Sequence, residues 1–321
     1  MKKIAVLADY LEPSHHALID STAARCGFAV DYYPDCRVPA ELAGTYEVVH
    51  GMPKPGDLKA FTGMKWFCGS FAGVDAYLDD ALYPSPEVML SNSSGAYGVT
   101  IAEHLIMVTL MLLRHADTYL HHADAHRWGP VMPMRSIIGS TITVLGTGDI
   151  GTEFARRAKA MGAKAIRGVR RTKKAADPAF DGVYTHEELD SLLPDTDILV
   201  MALPSTADTV GILSRDRIAL LPETAYVINV GRGTAIDQPA LVEALNAGKL
   251  AGAALDVFEK EPIPAGDPVW DAKNLLITPH ISGQMSLGYT RDKNVALFCE
   301  DLENYAAGRP LKRYVDRKIG Y

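Results

Sequence analysis

Short apolar runs recur along the chain, and between them lie longer stretches with helix-like spacing of apolar residues. The runs are Ile4–Ala8, Glu47–His50, Trp66–Cys68 and Val88–Leu90 in the first third. They continue as Ile142–Leu145, Ala165–Val169, Ile198–Ala202, Tyr226–Asn229, Ala253–Leu255 and Leu275–Thr278. Strand alternating with helix is the pattern of an α/β protein with parallel sheets. Two longer segments stand out. Ile101–Ala125, apolar with Glu103, His104 and Arg114 interspersed, predicts one long helix. Its near-continuous apolar character implies burial against more than one neighbour, a second subunit among them. Leu287, Val295, Leu297, Phe298, Leu302 and Tyr305 predict a closing helix that returns the chain to its first domain.

The run Ile142-Thr143-Val144-Leu145 leads directly into Gly146-Thr147-Gly148-Asp149-Ile150-Gly151, and a helical pattern through Phe154, Ala155, Ala158 and Met161 follows. Glycines between a strand and a helix allow a tight turn, close approach of backbone to a pyrophosphate, and helix-on-strand packing. The helix N-terminus adds N–H donors and a partial positive charge. A glycine-rich turn alone says little; this context makes it a dinucleotide-binding signal. The chain has 321 residues, enough for two domains, and a separate smaller domain fits ahead of the motif.

Composition narrows the partners. Hydrophobic residues make up 48%, charged residues 22%, and the formal net charge is -7. That balance offers nothing to nucleic acid or to an anionic membrane surface. The longest apolar stretch, Leu105 to Leu113, falls far short of a bilayer span. Cys26, Cys36, Cys68 and Cys299 show no metal or redox spacing, so reduced thiols in a cytoplasmic protein are expected. Lys2 and Lys3 before Ile4–Ala8 imitate a signal peptide, but Asp9 ends the run and a first buried strand is the better reading. Asn92-Ser93-Ser94 spells a glycosylation sequon that carries no meaning without secretion. His122 and His126 have ligand spacing, and His121 adjoins them, but no metal-binding carboxylate motif accompanies them; they read as a polar helix end, and no metal is expected.

A chain that binds NAD places an acidic residue about twenty positions past the glycines, on the adenine ribose. Here Ala165–Val169 ends instead at Arg170-Arg171-Thr172-Lys173-Lys174. A carboxylate would repel a 2′-phosphate, whereas arginine offers it paired donors and charge. NADPH is therefore the preferred cofactor and NAD the alternative, with Arg170 and Arg171 as phosphate contacts and Thr172 as a helper.

Three further blocks carry chemistry: Asn229-Val230-Gly231-Arg232-Gly233, Leu255-Asp256-Val257-Phe258-Glu259-Lys260-Glu261-Pro262, and Thr278-Pro279-His280-Ile281-Ser282-Gly283. Together with the central glycine motif, Ala102-Glu103-His104 and Leu203-Pro204-Ser205-Thr206, they resemble the D-isomer-specific 2-hydroxyacid dehydrogenase family. The resemblance is weakest over the first third of the chain. It implies that Arg232 binds the substrate carboxylate and carbonyl oxygen, that His280 is the acid in ketone reduction and the base in alcohol oxidation, and that Glu261 pairs with His280. Glu259 is the competing partner. A planar guanidinium can bridge carboxylate and carbonyl. Hydride arriving at the carbonyl carbon leaves charge on oxygen, which requires a proton from a group titrating near neutrality.

The resemblance also implies that Leu203, Pro204, Val230, Gly231 and Asp256 lie against the cofactor, Asp256 accepting from the nicotinamide amide. Gly69-Ser70-Phe71-Ala72-Gly73-Val74-Asp75 resembles a family loop whose backbone amides, here those of Ala72 and Gly73, hold the substrate carboxylate. Met52, Tyr97, Trp270 and Met285 are candidates for the pocket wall.

The expected architecture is a Rossmann-type doubly wound domain over residues 99–286, plus a smaller flavodoxin-like α/β domain made of residues 1–98 and 287–321. The active site is expected in the cleft between the domains. The expected activity is NADPH-dependent reduction of a small 2-oxoacid, glyoxylate or hydroxypyruvate first, to the D-2-hydroxyacid by a cytoplasmic homodimer. A dinucleotide-sensing, corepressor-like binding protein, a dehydrogenase for a bulkier 2-hydroxyacid, and a methyltransferase with a similar glycine loop are the other readings.

Overall fold

The computed structural model describes residues 1–173 and 177–321. Lys174, part of the expected basic turn, lies outside them. The chain forms two compact units, Met1–Tyr97 with Gln284–Tyr321 and Gly98–Gly283.

In the first unit, β1 (Lys2–Leu7), β2 (Phe28–Tyr32), β3 (Val48–Gly51), β4 (Trp66–Gly69) and β5 (Met89–Ser91) form a parallel sheet in the order β5-β4-β3-β1-β2. That is the flavodoxin-like winding. Alternate residues feed two apolar layers. Ile4, Val6 and Trp66 pack with Ile19, Phe298 and Leu302 of the helices Pro13–Arg25 and Gly288–Ala306. Ala5, Leu7, Val49, Phe67 and Leu90 pack with Leu58, Phe61 and Met64 on the opposite face. Each large apolar side chain fully removed from water contributes about 1.5–3 kcal/mol, so both faces of a sheet must be covered for these strands to form.

The second unit contains β6 (Thr141–Leu145), β7 (Ala165–Val169), β8 (Gly182–Tyr184), β9 (Ile198–Met201), β10 (Tyr226–Asn229), β11 (Gly252–Leu255) and β12 (Leu275–Ile277). They run parallel in the order β8-β7-β6-β9-β10-β11-β12. This doubly wound order reverses between β6 and β9, and ligands of such sheets sit at that point, beyond the carboxyl ends of the strands. Strands β6, β9, β10 and β11 are buried throughout, as parallel strands covered on both faces must be. A last strand, β13 (Tyr314–Val315), returns to the first unit and pairs antiparallel with β5.

The structure corrects the reading in two places. β2, β8 and β13 are absent from the predicted runs; β2 and β8 are only half-buried, which weakens the apolar signal at sheet edges. The expected long helix is two, Gly98–Leu113 and Ala116–Asp124, bent by 65°. His115 adopts the left-handed conformation at φ 54 and its Nε2 meets the Pro133 carbonyl at 2.8 Å. The first helix buries Leu105, Val108 and Leu112, whereas no residue of the second is buried. No single helix is long and apolar enough to cross a membrane.

Candidate active site

The glycine motif spans the turn from β6 into the helix Asp149–Ala160. Gly146 has φ +102, and a Cβ there would stand 2.5 Å from the Ala202 carbonyl oxygen beyond β9. A Cβ at Gly151 would collide with the Gly146 carbonyl. Glycine is thus required both to make the turn and to let the helix sit against it. Gly148 caps the helix, and no side chain occupies the cap, which leaves this N-terminus suited to a pyrophosphate. The Asp149 carboxyl packs over Gly98, at the start of the helix Gly98–Leu113.

Beside this turn, Ala202 donates to the Leu145 carbonyl at 2.8 Å and Val230 to the Met201 carbonyl at 3.0 Å. The ends of β6, β9 and β10 therefore adjoin, bringing Leu203, Pro204, Val230 and Gly231 beside the glycine motif. On the other flank of β6, the end of β7 presents Arg170, half-buried, with Arg171 and Thr172 exposed. The Arg170 N–H bonds the Tyr184 carbonyl at 3.0 Å, and Lys173 pairs with Glu188 at 3.1 Å. Burial holds the His186 imidazole below its ordinary pKa; Arg217 and Arg171 push the same way against Glu187 and Asp208. Arg170, Arg171 and Thr172 thus stand together at the carboxyl end of β7, with Glu187, Glu188 and Asp208 among the nearby charges.

Beyond β10, Asn229 is fully buried and staples its own turn. Its Oδ1 accepts from the Gly231 N–H at 2.9 Å and its Nδ2 donates to the Arg232 carbonyl at 2.8 Å. The Arg232 guanidinium also donates to the Gly231 carbonyl, from Nη1 at 2.7 Å. A Cβ at Gly233 would overlap the Phe258 backbone, so the arginine turn and the segment after β11 touch. In that segment Glu261 is held at both oxygens. Oε1 accepts from the Phe258 N–H at 2.8 Å, and Oε2 lies 2.6 Å from His280 Nδ1. A carboxylate at that position orients the imidazole ring. Glu259, the competing candidate, instead donates its N–H to Gln238 Oε1 at 3.2 Å. The His280 side chain is 52% exposed, open enough to meet a ligand.

His280 sits at φ 53, a conformation unfavourable for a side-chain-bearing residue. The loop is held there by Asp256, which is 1% exposed. Asp256 Oδ1 accepts from the Thr278 hydroxyl at 2.6 Å and the Ile281 N–H at 3.0 Å, and Oδ2 from the Ser282 N–H at 3.0 Å. The His280 N–H donates to the Asp256 carbonyl at 2.8 Å. Half-buried His104 reaches Thr278 Oγ1 at 3.4 Å, and desolvation lowers its pKa against the opposing pull of Asp256. Asn229 and Thr278 stand in the sequence blocks but give no signal of these roles, because a staple is recognised only by its partners.

In the first unit, Ala72 and Gly73 follow β4 in the loop that begins at Gly69. Neither backbone N–H donates to an acceptor among the described residues. Of the wall candidates, Tyr97 is buried with its hydroxyl on the Ser70 carbonyl at 2.5 Å, and Met285 packs on the first unit's core. Met52 and Trp270 are exposed, at 37% and 49%.

Known proteins resemble this chain in sequence and fold. A family model described as D-isomer specific 2-hydroxyacid dehydrogenase, NAD binding domain, matches residues 106–282. A glyoxylate/hydroxypyruvate reductase A from Klebsiella pneumoniae (strain 342) is 32% identical over 257 residues, 78% of this chain and 80% of that protein. A D-isomer specific 2-hydroxyacid dehydrogenase from Xanthobacter autotrophicus Py2, solved with NADPH and MES, superposes with TM-score 0.83 at 28% identity, covering 100% of this chain and 99% of that one. The NADPH-dependent glyoxylate/hydroxypyruvate reductase of Sinorhizobium meliloti, solved with NADP and sulfate, gives TM-score 0.83 at 26% identity over 100% of both chains. The chain belongs to the D-isomer specific 2-hydroxyacid dehydrogenase family, and by that membership it is an NAD(P)-dependent oxidoreductase.

Proposed function

We propose that this protein reduces glyoxylate or hydroxypyruvate to the D-2-hydroxyacid with NADPH. The observation that carries the reading is the His280–Glu261 pair, 2.6 Å apart, on a loop next to the Arg232 turn. In this reading residues at the ends of β6, β7, β9 and β10 would hold NADPH, which would supply the hydride. Gly146 to Gly151 receive the pyrophosphate, Leu203, Pro204, Val230 and Gly231 flank the rest, and Arg170, Arg171 and Thr172 take the 2′-phosphate. Arg232 grips the substrate carboxylate and polarises its carbonyl. The Ala72 and Gly73 amides of the first unit are donors suited to a substrate carboxylate. As charge develops on the carbonyl oxygen, His280 delivers a proton, and Glu261, 2.6 Å from Nδ1, holds the ring in orientation for that transfer. Asp256 serves the reaction by fixing the loop of His280, in addition to any contact with the nicotinamide amide.

The names and bound cofactors of the relatives support this choice of substrate and coenzyme. The test is NADPH oxidation, followed optically, against a panel of 2-oxoacids, repeated with NADH. The expected result is turnover on glyoxylate and hydroxypyruvate with higher kcat/KM for NADPH. Equal or better use of NADH would reject the phosphate assignment, and silence on every acid would reject the reductase reading in favour of a dinucleotide sensor.

A further inference from the structure

The segment Asn92-Ser93-Ser94, a sequon in the sequence, has another use in the fold. Asn92 is 9% exposed and its Nδ2 donates to the Ala72 carbonyl at 2.7 Å. It belongs to a row of donors beneath the loop after β4. The Gly69 carbonyl accepts from the Ser93 hydroxyl at 2.9 Å, the Ser70 carbonyl from the Tyr97 hydroxyl at 2.5 Å, and the Phe71 carbonyl from the Ser93 N–H at 2.9 Å. Four consecutive carbonyls, Gly69 through Ala72, are thus drawn inward by the segment from Asn92 to Tyr97.

The consequence follows from the peptide unit. In a trans peptide the carbonyl of one residue and the N–H of the next point in opposite directions. The bonds joining Phe71, Ala72 and Gly73 are trans. Fixing the Phe71 carbonyl inward turns the Ala72 N–H outward, and fixing the Ala72 carbonyl inward does the same to the Gly73 N–H. These are the two amides without an acceptor among the described residues. The row of donors is itself braced. Asn294 Nδ2 donates to Ser93 Oγ at 2.6 Å, and Asn294 Oδ1 accepts from the Tyr10 hydroxyl at 2.8 Å. The Tyr10 oxygen lies 2.6 Å from Ser70 Oγ. Tyr10, Ser70, Ser93 and Asn294 are all buried, so water cannot substitute for a lost partner.

We infer that Asn92 and Ser93 are positioning residues for the substrate: they lock the Phe71–Gly73 peptides so that two N–H donors are aimed in advance at a carboxylate. The inference rests on the proposed 2-oxoacid reading and adds residues to it. Donors fixed before the ligand arrives cost nothing to reorient on binding.

The test is Asn92→Asp, which keeps size but puts an acceptor against the Ala72 carbonyl. kcat/KM is measured for glyoxylate and for its methyl ester, with KM for NADPH alongside. A positioning role predicts that the preference for acid over ester falls by about tenfold or more, the loss of one hydrogen bond to a charged group, while KM for NADPH stays within about twofold. Equal losses on acid and ester, or no change in either, would overturn it. If Asn92→Asp does not fold, Asn92→Ala, which only removes the donor, is read the same way. Should the wild type reduce no 2-oxoacid, the reductase reading falls by itself, and oxalate titration by calorimetry decides the inference. Oxalate binding weakened about tenfold by the substitution supports it; equal affinity, or no binding to wild type, ends it.

Discussion

The loop after β4 and the loops after β10 and β12 each close a parallel strand at its carboxyl end, yet they present opposite kinds of chemistry. After β4 the groups we propose to face the ligand are backbone N–H donors at Ala72 and Gly73, and the side chains of Asn92, Ser93 and Tyr97 work underneath them. After β10 and β12 the groups we propose as reactive are the side chains of Arg232 and His280. Side chains that bind backbone work underneath here too: Asn229 staples the Arg232 turn, Glu261 meets His280, and Asp256 collects the Thr278, Ile281 and Ser282 donors. A carboxylate needs only fixed dipoles, which peptides supply. Proton transfer needs a group that titrates, which peptides do not. The two regions should therefore fail differently when they are damaged.

The largest effect is expected at His280→Gln, which retains a donor but cannot deliver a proton at neutral pH. kcat should fall by roughly 10²–10⁴, with NADPH binding, read by fluorescence titration, unchanged. A fully active variant would break the comparison, because the β12 loop would then carry no titrating chemistry.

Asp256→Asn should have a smaller effect. One carboxylate oxygen becomes an NH₂ facing backbone N–H groups, at a cost of about 1–3 kcal/mol, and the left-handed turn at His280 loosens. A kcat loss between those of wild type and His280→Gln, with the ratio of acid to ester kcat/KM unchanged, would sharpen the contrast with Asn92→Asp. A shift in that ratio would blur it.

The third prediction separates the units by stability. His50 in the first unit is fully buried, stacked on Phe298 at 4.0 Å, with Nδ1 on the Cys68 carbonyl at 3.1 Å. Burial pushes its pKa down from 6.5 to about 4. The folded state therefore holds it neutral while the unfolded chain takes up a proton below about pH 6.5. Its contribution is complete above that pH and is lost as the pH falls through the window down to about 4, by roughly 3 kcal/mol in all. Denaturant unfolding of wild type and His50→Leu across that window should show a steeper loss for wild type. Parallel curves would remove His50 as the cause.

How much of this was legible in the sequence follows the same division. Arg232, Glu261 and His280 are visible as letters because their side chains are the chemistry, and the Gly146–Gly151 motif is visible because glycine alone fits the turn there. The resemblance already favoured Glu261 over Glu259, and the structure adds the Phe258 N–H that holds it. Asn92 read as a sequon, and Tyr10 and Asn294, 284 positions apart, gave no sign that they meet. The break at His115 follows the end of the apolar run at Leu113, but a single left-handed residue leaves no mark in a helical periodicity.

By itself, then, the chain determined the alternation of strand and helix, the dinucleotide turn and the candidates for the reactive side chains, since periodicity and residue type act locally. Only the tertiary structure decided how Glu261 is held against the imidazole, which carbonyls turn inward and hence which amides turn out. Those outcomes depend on hydrogen bonds between segments far apart in sequence, and a bond of that kind exists only once the sheet has brought its strand ends together.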